Sequence, residues 1–516
     1  MNSRKRLSGT TKNNGEVALS LATASSIDGK QKNDLNGHGT NGAFKKSNKF
    51  LATGPRGSLP LLLGLGLTAV IFLFSLFVHH RQSHHIPNSP PSTMIFRGKK
   101  GAYDKVPPES RRTFHISDGT KFRRTVARAF RYNNFRKVND AEEANFIIDR
   151  GEDPGRYPEL KSWQRYSNIP GTQQFESKDL FIKNFQRYQK SNPDIKLDFL
   201  PQTYRLSTES GREAFRKRLF ERQGMNVPWV LKDPESNNGK GVEMLGPNSK
   251  ELKNVLARAV REEEETDYIV QEYICNELTW WKNKKFDLRF YWAVASVDPL
   301  LVLYHDGYVR VGNAAYNETE FSGPRTQHLT THTFLSEEEK GTIEELKERL
   351  KYHYRQNRRN LRKRIKIDPF DHVRNQFKEV LARTVAAFRG VTFGNGMKNS
   401  YKFENSWALY GADFVVDNDL DVWFVEAQEA PGLEEEFDFR VELHRDLFRP
   451  LIITVAEIQD NLEKDPTKSI LPLQNLGKWE IIYAGSGVDQ WAFKYEGYQR
   501  ARDKSACSLP AKMKWH

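Results

Sequence analysis

Hydrophobic residues follow several different spacings along this 516-residue chain. Leu59–Val78 reads LPLLLGLGLTAVIFLFSLFV, without one charged residue. At ~1.5 Å per residue such a run is long enough to cross the ~30 Å apolar core of a bilayer, so it predicts a single transmembrane helix. It starts far from Met1 and no small-residue cleavage site follows, which argues against a cleaved signal peptide. From about Arg111 the pattern changes. Lys121–Val138 and Ser177–Tyr188 place apolar residues at helical intervals, the second with Leu180, Phe181 and Phe185 on one side. Asn145–Asp149, Val227–Lys232 and Ile269–Ile274 are short apolar runs of strand character. Phe286–Val297 and Leu300–Tyr304 form a predicted strand pair turning at Asp298-Pro299. Ala412–Gln428 reads as two strands around an Asp/Asn turn. Strands mixed with helices, and no regular βαβ repeat, predict an α+β fold rather than a doubly wound sheet.

Composition divides the chain further. Residues 1–58 are rich in Gly, Ser, Thr, Asn and Lys, as in a disordered tail. Residues 79–110 hold much Pro, Ser and Lys and read as a stalk. A globular part is expected over 111–462, with an extension at 463–516. The two cysteines, Cys275 and Cys507, supply neither a disulfide framework nor zinc-ligand spacing.

The formal net charge of +14 matters once it is located. Residues 1–58 carry ten Lys/Arg against three Asp/Glu, and Lys351–Lys366 carries eight with no acid, so the remainder is close to neutral. A basic surface spread over the whole molecule, as on a nucleic-acid coat, is excluded, and nucleic acid is not an expected partner. Lys45, Lys46, Lys49 and Arg56 precede the apolar span, while Arg81 and Arg97 are the nearest cations after it. The positive-inside rule then predicts a single-pass membrane protein with a cytosolic N-terminus and a lumenal catalytic domain, in a Golgi- or ER-like compartment. The tail would lie against anionic lipid, and the Asn317-Glu-Thr319 sequon fits a lumenal side. On a helical wheel Lys351, Arg355, Arg358, Arg359, Arg362 and Lys366 fall within ~100° of one another, beside an apolar stripe of Tyr354, Leu361 and Ile365. Such a face is either solvated or a track for an acidic peptide.

Three constellations carry chemistry. In Lys232-Asp-Pro-Glu-Ser-Asn-Asn-Gly-Lys-Gly241 a strand delivers Lys232 into a loop with two glycines and Lys240. Backbone amides that approach closely, with lysines beside them, suit phosphates; the spacing is not that of a Walker A loop. In Val270–Ile274 and Lys285–Arg289, a strand and its exit would read an adenine edge, and Lys285 and Asp287 share one face by their i, i+2 spacing. In the third, a hairpin centred between Asp419 and Leu420 sets Asp413 opposite Glu426, with Gln428 on the same face. Two carboxylates facing each other on a half-buried sheet call for a cation, and oxygen ligands suit Mg²⁺.

The order of these motifs resembles the tubulin–tyrosine ligase-like family of ATP-grasp enzymes. The core of the likeness runs over residues 168–433. It takes in Asn168-Ile-Pro-Gly171, WVLKDPESNNGKGV, VQEYI, KFDLRFY, Leu303–Tyr316 with Tyr-Val-Arg310-Val, His328-Leu-Thr-Thr331, and Tyr410-Gly-Ala-Asp413 through Pro431-Gly-Leu433. The resemblance implies an ATP-grasp fold, with an N-terminal lobe before central and C-terminal lobes that clasp ATP. It implies ATP and Mg²⁺ as cofactors and amide formation through an acyl phosphate, adding glutamate, glycine or tyrosine to an acidic protein or peptide such as a tubulin tail.

By the same resemblance, Lys232 and the loop of Asn238, Gly239, Lys240 and Gly241 would hold phosphates. Gln271, Glu272, Tyr273 and Ile274, with Lys285, Phe286, Asp287 and Arg289, would hold adenine and ribose. Arg310 would meet the γ-phosphate or the acyl phosphate, and Lys232, Arg310 and Glu426 would be the catalytic residues. Thr330 and Thr331 would contact nucleotide or amino acid, and Asp413, Glu426 and Gln428 would hold magnesium. Two positions depart from the family pattern, which has Asn at Thr331 and at Gln428. The alternative reading is therefore a pseudoenzyme that binds ATP or an acidic partner.

Overall fold

The computed structural model describes residues 89–90 and 104–500, except 121, 222–226, 237–238, 248, 262–267, 318–320, 322–326, 331–339, 393–404, 430, 434–437, 486–489 and 499. The chain divides between Val78 and His79, and every described residue belongs to the second part.

The first sheet comprises β1 (Thr113–Ile116), β2 (Arg136–Lys137), β3 (Phe146–Ile148) and β4 (Arg165–Tyr166), all parallel in the order β2-β1-β3-β4. Parallel neighbours need a crossover, and the Arg123–Tyr132 helix supplies it between β1 and β2, with Phe130 stacked on Phe114 at 4.7 Å. The predicted helix over Lys121–Val138 is thus too long. It stops at Asn133, Asn134 takes a left-handed φ of 60°, and the chain re-emerges as β2. A small βαβ unit exists where none was expected.

The second sheet is antiparallel: β5 (Thr203–Arg205), β6 (Trp229–Lys232), β7 (Val242–Leu245) and β8 (Ile269–Glu272), in the order β5-β8-β6-β7. Trp229, Leu231 and Val270 turn one face toward Phe215 and Val255 of the Glu209–Glu221 and Lys250–Arg261 helices. Period-2 alternation leaves Val230, Lys232, Ile269 and Gln271 on the other face.

The third sheet holds β9 (Lys284–Val297), β10 (Leu300–Ala315), β11 (Lys340–Gly341), β12 (Ala408–Val416), β13 (Val422–Gln428), β14 (Glu480–Ala484) and β15 (Trp491–Ala492). Its order is β13-β12-β9-β10-β14-β15, with β11 on β10. On β9, Phe286, Leu288, Phe290, Trp292 and Val294 join the core formed with the Ile343–Gln356 and Pro369–Phe388 helices. Tyr291, Ala293 and Ala295 face the core of the Asp438–Lys464 helix. Helices therefore cover both faces of this sheet, and the described residues form a mixed α/β structure in three sheets.

Two expectations need correction here. The basic segment is not one helix: Ile343–Gln356 ends at Asn357, whose side chain donates to the His353 carbonyl at 3.1 Å, and a separate short helix follows at Arg358–Leu361. The membrane-spanning, lumenal assignment is also overturned. Among the described residues no helix is long and apolar enough to cross a membrane. The longest, Asp438–Lys464, is amphipathic and carries charges along its length. Leu59–Val78 itself lies outside the described residues.

Candidate functional site

β6 and β7 pair so that Lys232 opposes Val242, and the connection between them folds back on itself. The Asp233 amide donates to the Gly241 carbonyl at 2.8 Å, and the Asp233 carboxylate accepts from the Glu235 amide at 3.0 Å and from the Ser236 hydroxyl. Gly239 has a left-handed φ of 69°. A β-carbon on Gly241 would stand 2.5 Å from that of Asp233, so this position admits only glycine in the closed loop. Asn238 lies outside the described residues, and Lys240 is exposed. Lys178, which opens the Lys178–Ser191 helix, donates to the Ser236 carbonyl at 2.8 Å. Sequence reasoning missed it because it lies more than fifty residues before the loop. Lys232 is buried, and burial, helped by Lys178 and Lys285 against the pull of Glu426, lowers it to about 8.

β8 sorts its predicted contacts by face. Gln271 turns toward the cavity that Lys232, Glu426, Lys178, Glu176 and Phe175 also line, and its amide donates to Thr203 Oγ1 at 2.8 Å. Glu272 points the other way and pairs with Arg218 at 2.6 Å, so its side chain is not part of the cleft. Beyond the strand, Lys285 donates to Tyr273 Oη at 3.0 Å and to Glu277 at 2.6 Å, and Tyr273 Oη also meets His328 Nδ1 at 3.1 Å. Ile274 packs with Val415, Trp423 and Val425 of the β12–β13 hairpin. Phe286 faces the core with Leu288 and Phe290, opposite to Lys285 and Asp287.

Asp287, Arg289, Arg310, Thr330 and Asp413 form one buried network. Register places Arg310 across from Asp287 and Asp413 across from Arg289. Arg310 binds Asp287 through two nitrogens at 2.6 and 2.8 Å and reaches Asp413 at 2.8 Å. Arg289 grips both oxygens of Asp413, one of them at 2.9 Å, and Thr330 donates to Asp287. Burial opposes ionisation of Asp413, but the two guanidinium groups outweigh it and hold the carboxyl far below the usual range. Thr331 is outside the described residues.

The hairpin pairs Asp413 with Glu426 and Gly411 with Gln428, as its sequence predicts. Nearer the turn the register slips by one residue, Phe414 opposing Phe424, so β13 bulges at Val425. The bulge re-phases the strand and turns both Val425 and Glu426 toward the cavity. Gln428 Nε2 donates to Glu426 Oε1 at 2.7 Å. The oxygens of Asp413, Glu426 and Gln428 fit a hard divalent cation in type. Beside them stands an acidic group that sequence reasoning missed. Glu429 is pushed up to about 7 by burial and by Glu176 and Glu152. Glu152 accepts from the Gly171 amide at 3.1 Å.

In the basic segment, Lys351 sits 3.7 Å from Glu348 and Lys366 donates to the Arg362 carbonyl. Arg355, Arg358, Arg359, Arg362 and Lys363 are exposed, and Arg364 instead binds Asp421 at 2.6 Å at the hairpin turn.

Residues 158–464 match the tubulin-tyrosine ligase family. The chain is similar to the mouse protein polyglycylase TTLL10, 26% identical over 314 residues that make up 57% of this chain and 42% of that protein. It is similar to the human tubulin polyglutamylase TTLL7, 24% identical over 410 residues, 75% of this chain and 43% of the relative. It is also 25% identical over 361 residues to the probable alpha-tubulin polyglutamylase Ttll1 of Tetrahymena thermophila, covering 63% of this chain and 80% of that one. The chain thus spans less than half the length of the mouse and human relatives. With more than half of its own length inside the family match, and the paired carboxylates and phosphate-type loop inside that stretch, the chain belongs to the tubulin–tyrosine ligase family.

Proposed function

We propose that the protein is an ATP- and magnesium-dependent ligase that joins an amino acid to an acidic protein or peptide acceptor. One observation carries the reading: Lys232, at the mouth of the β6–β7 loop, and Glu426, on the hairpin, line one cavity although nearly two hundred residues separate them. The polyglycylase and tubulin polyglutamylase names of the relatives support glycine or glutamate as the donor and tubulin as an acceptor.

In this reading the amides of Gly239 to Gly241, with Lys232, Lys240 and Lys178, hold the phosphates. Gln271 and the backbone of Tyr273 and Ile274 meet the adenine, and Lys285 and Asp287 the ribose. Asp413, Glu426 and Gln428 would hold magnesium, which supplies positive charge to the phosphate oxygens. A carboxylate attacks the γ-phosphorus and ADP leaves. The amine then attacks the acyl carbon of the resulting acyl phosphate, loses a proton, and releases inorganic phosphate. Arg310 steadies the transferring group by giving up part of its grip on Asp413. Such chemistry needs positioning and charge neutralisation more than covalent help from the protein.

A second reading is favoured by two features. Both oxygens of Asp413 are already held by arginines, and Gln428 is longer by one methylene than the amide of the family pattern. A chain so built would bind nucleotide or acidic partner without joining anything. Mass spectrometry of an acidic peptide incubated with protein, ATP, magnesium and each candidate amino acid separates the two. The ligase reading expects a mass gain of one residue or more, lost when ATP is omitted. An unchanged peptide, with nucleotide bound, supports the second reading.

A further inference from the structure

The carboxylate hairpin is gripped from outside the family match. After β15 the chain runs along the Pro369–Phe388 helix, where Phe493 lies under Lys378, with the ammonium 5.0 Å from the ring centroid. Tyr495 Oη pairs with His372 Nδ1 at 2.9 Å, and Tyr495 stacks on Tyr498 at 5.2 Å. Tyr498 Oη contacts Gln376 Oε1 at 3.0 Å and also bonds to Asp421. Gln376 in turn accepts from the Val422 amide at 3.0 Å and donates to the Leu420 carbonyl at 2.8 Å. Arg500 donates to the Val422 carbonyl at 2.6 Å, and its guanidinium lies 4.3 Å from the centre of the Trp423 ring. The indole N–H of Trp423 is held by Asp417 at 3.1 Å, and its body packs on Ile274, Val415 and Val425.

These contacts form a continuous path. It starts at Arg500, passes through Trp423, and ends on Ile274 at the exit of β8 and on Val425, the bulged residue beside Glu426. A guanidinium over an indole is a favourable cation–π arrangement, and its planar group restricts the ring more than a lysine would. The bulge sets which way Glu426 faces, so the strand that carries it must be fixed at its turn end too.

We propose that residues 491–498, together with Arg500, act as a strap that positions the carboxylate hairpin, with Tyr498 and Arg500 as positioning residues for the nucleotide–metal site. They touch no reacting atom. Their effect passes through Asp421, Gln376 and Trp423. The inference rests on the ligase reading only in taking this cleft as the site of MgATP.

The test uses the full chain and its Tyr498→Phe, Arg500→Ala and Arg500→Lys variants. MgATP affinity is measured by calorimetry, KM and kcat by amino-acid incorporation, and hydrogen exchange follows the Val422–Glu426 amides. Arg500→Ala and Tyr498→Phe should each weaken MgATP binding and raise its KM about tenfold, with kcat changed far less. Exchange in the hairpin should speed up while the melting temperature stays within a few degrees. Arg500→Lys, which keeps the charge but not the planar stack on Trp423, should recover only part of the affinity. Unchanged affinity in both variants, or a lower melting temperature with affinity intact, overturns the strap. A parent protein that binds MgATP but joins no amino acid overturns the ligase reading alone; one that binds no MgATP overturns both.

Discussion

Lys232 is the residue whose charge state should be most visible in binding. Burial lowers it to about 8, so the free site loses its ammonium as pH rises through that value, while bound phosphates pull the proton back. Affinity for MgATP should be flat from pH 7 to about 8 and then fall by up to roughly tenfold per pH unit. Calorimetry across that range checks it, and Lys232→Ala should bind weakly with no such dependence. Asp413 makes the complementary case. Arg289 and Arg310 both lean on it, so Asp413→Asn leaves two buried guanidinium groups short of a partner and should cost roughly 3–5 kcal/mol in urea unfolding. Because the folded carboxyl titrates below its unfolded value, that stability is fully present at pH 7. The difference from the variant should shrink as pH falls below the ordinary carboxylate range.

At the scale of elements, the β6–β7 loop and the β12–β13 hairpin do most of the positioning. Gly241→Ala puts a methyl group against Asp233 and Ser236, so the loop must open. MgATP affinity should drop at least ~10-fold, with the melting temperature shifted by no more than a few degrees. The hairpin shows what could be read in advance. Alternation and the Asp/Asn turn were enough to set Asp413 opposite Glu426, because cross-strand partners follow from the turn. The bulge at Val425 left no local mark, since a bulge is fixed by what packs on both faces of the strand. The family resemblance assigns Glu272 and Phe286 to the site with their neighbours, yet period 2 turns each of them away, toward Arg218 and toward the core. Strands as short as β2 and β4 carry too few residues to show any period. Lys178 and Glu176 reach the site by tertiary packing alone.

Across the whole molecule, the basic segment between β11 and β12 keeps several exposed cations in an otherwise nearly neutral domain. If it guides an acidic acceptor, the double change Arg358→Glu with Arg359→Glu should raise the acceptor KM about tenfold and flatten its salt dependence, leaving MgATP affinity untouched. Steady-state assays at two ionic strengths distinguish this from damage to the cleft. The proposed MgATP site lies where the β6–β7 sheet and the β12–β13 hairpin bring Lys232 and Glu426 to one cavity. Calorimetric titration of the parent protein and of Glu426→Gln with ATP, with and without magnesium, tests that site. The parent should bind ATP in a magnesium-dependent manner, and the variant should lose at least ~10-fold in affinity while its fold is retained. Binding that ignores both magnesium and Glu426, or no binding at all, would contradict it.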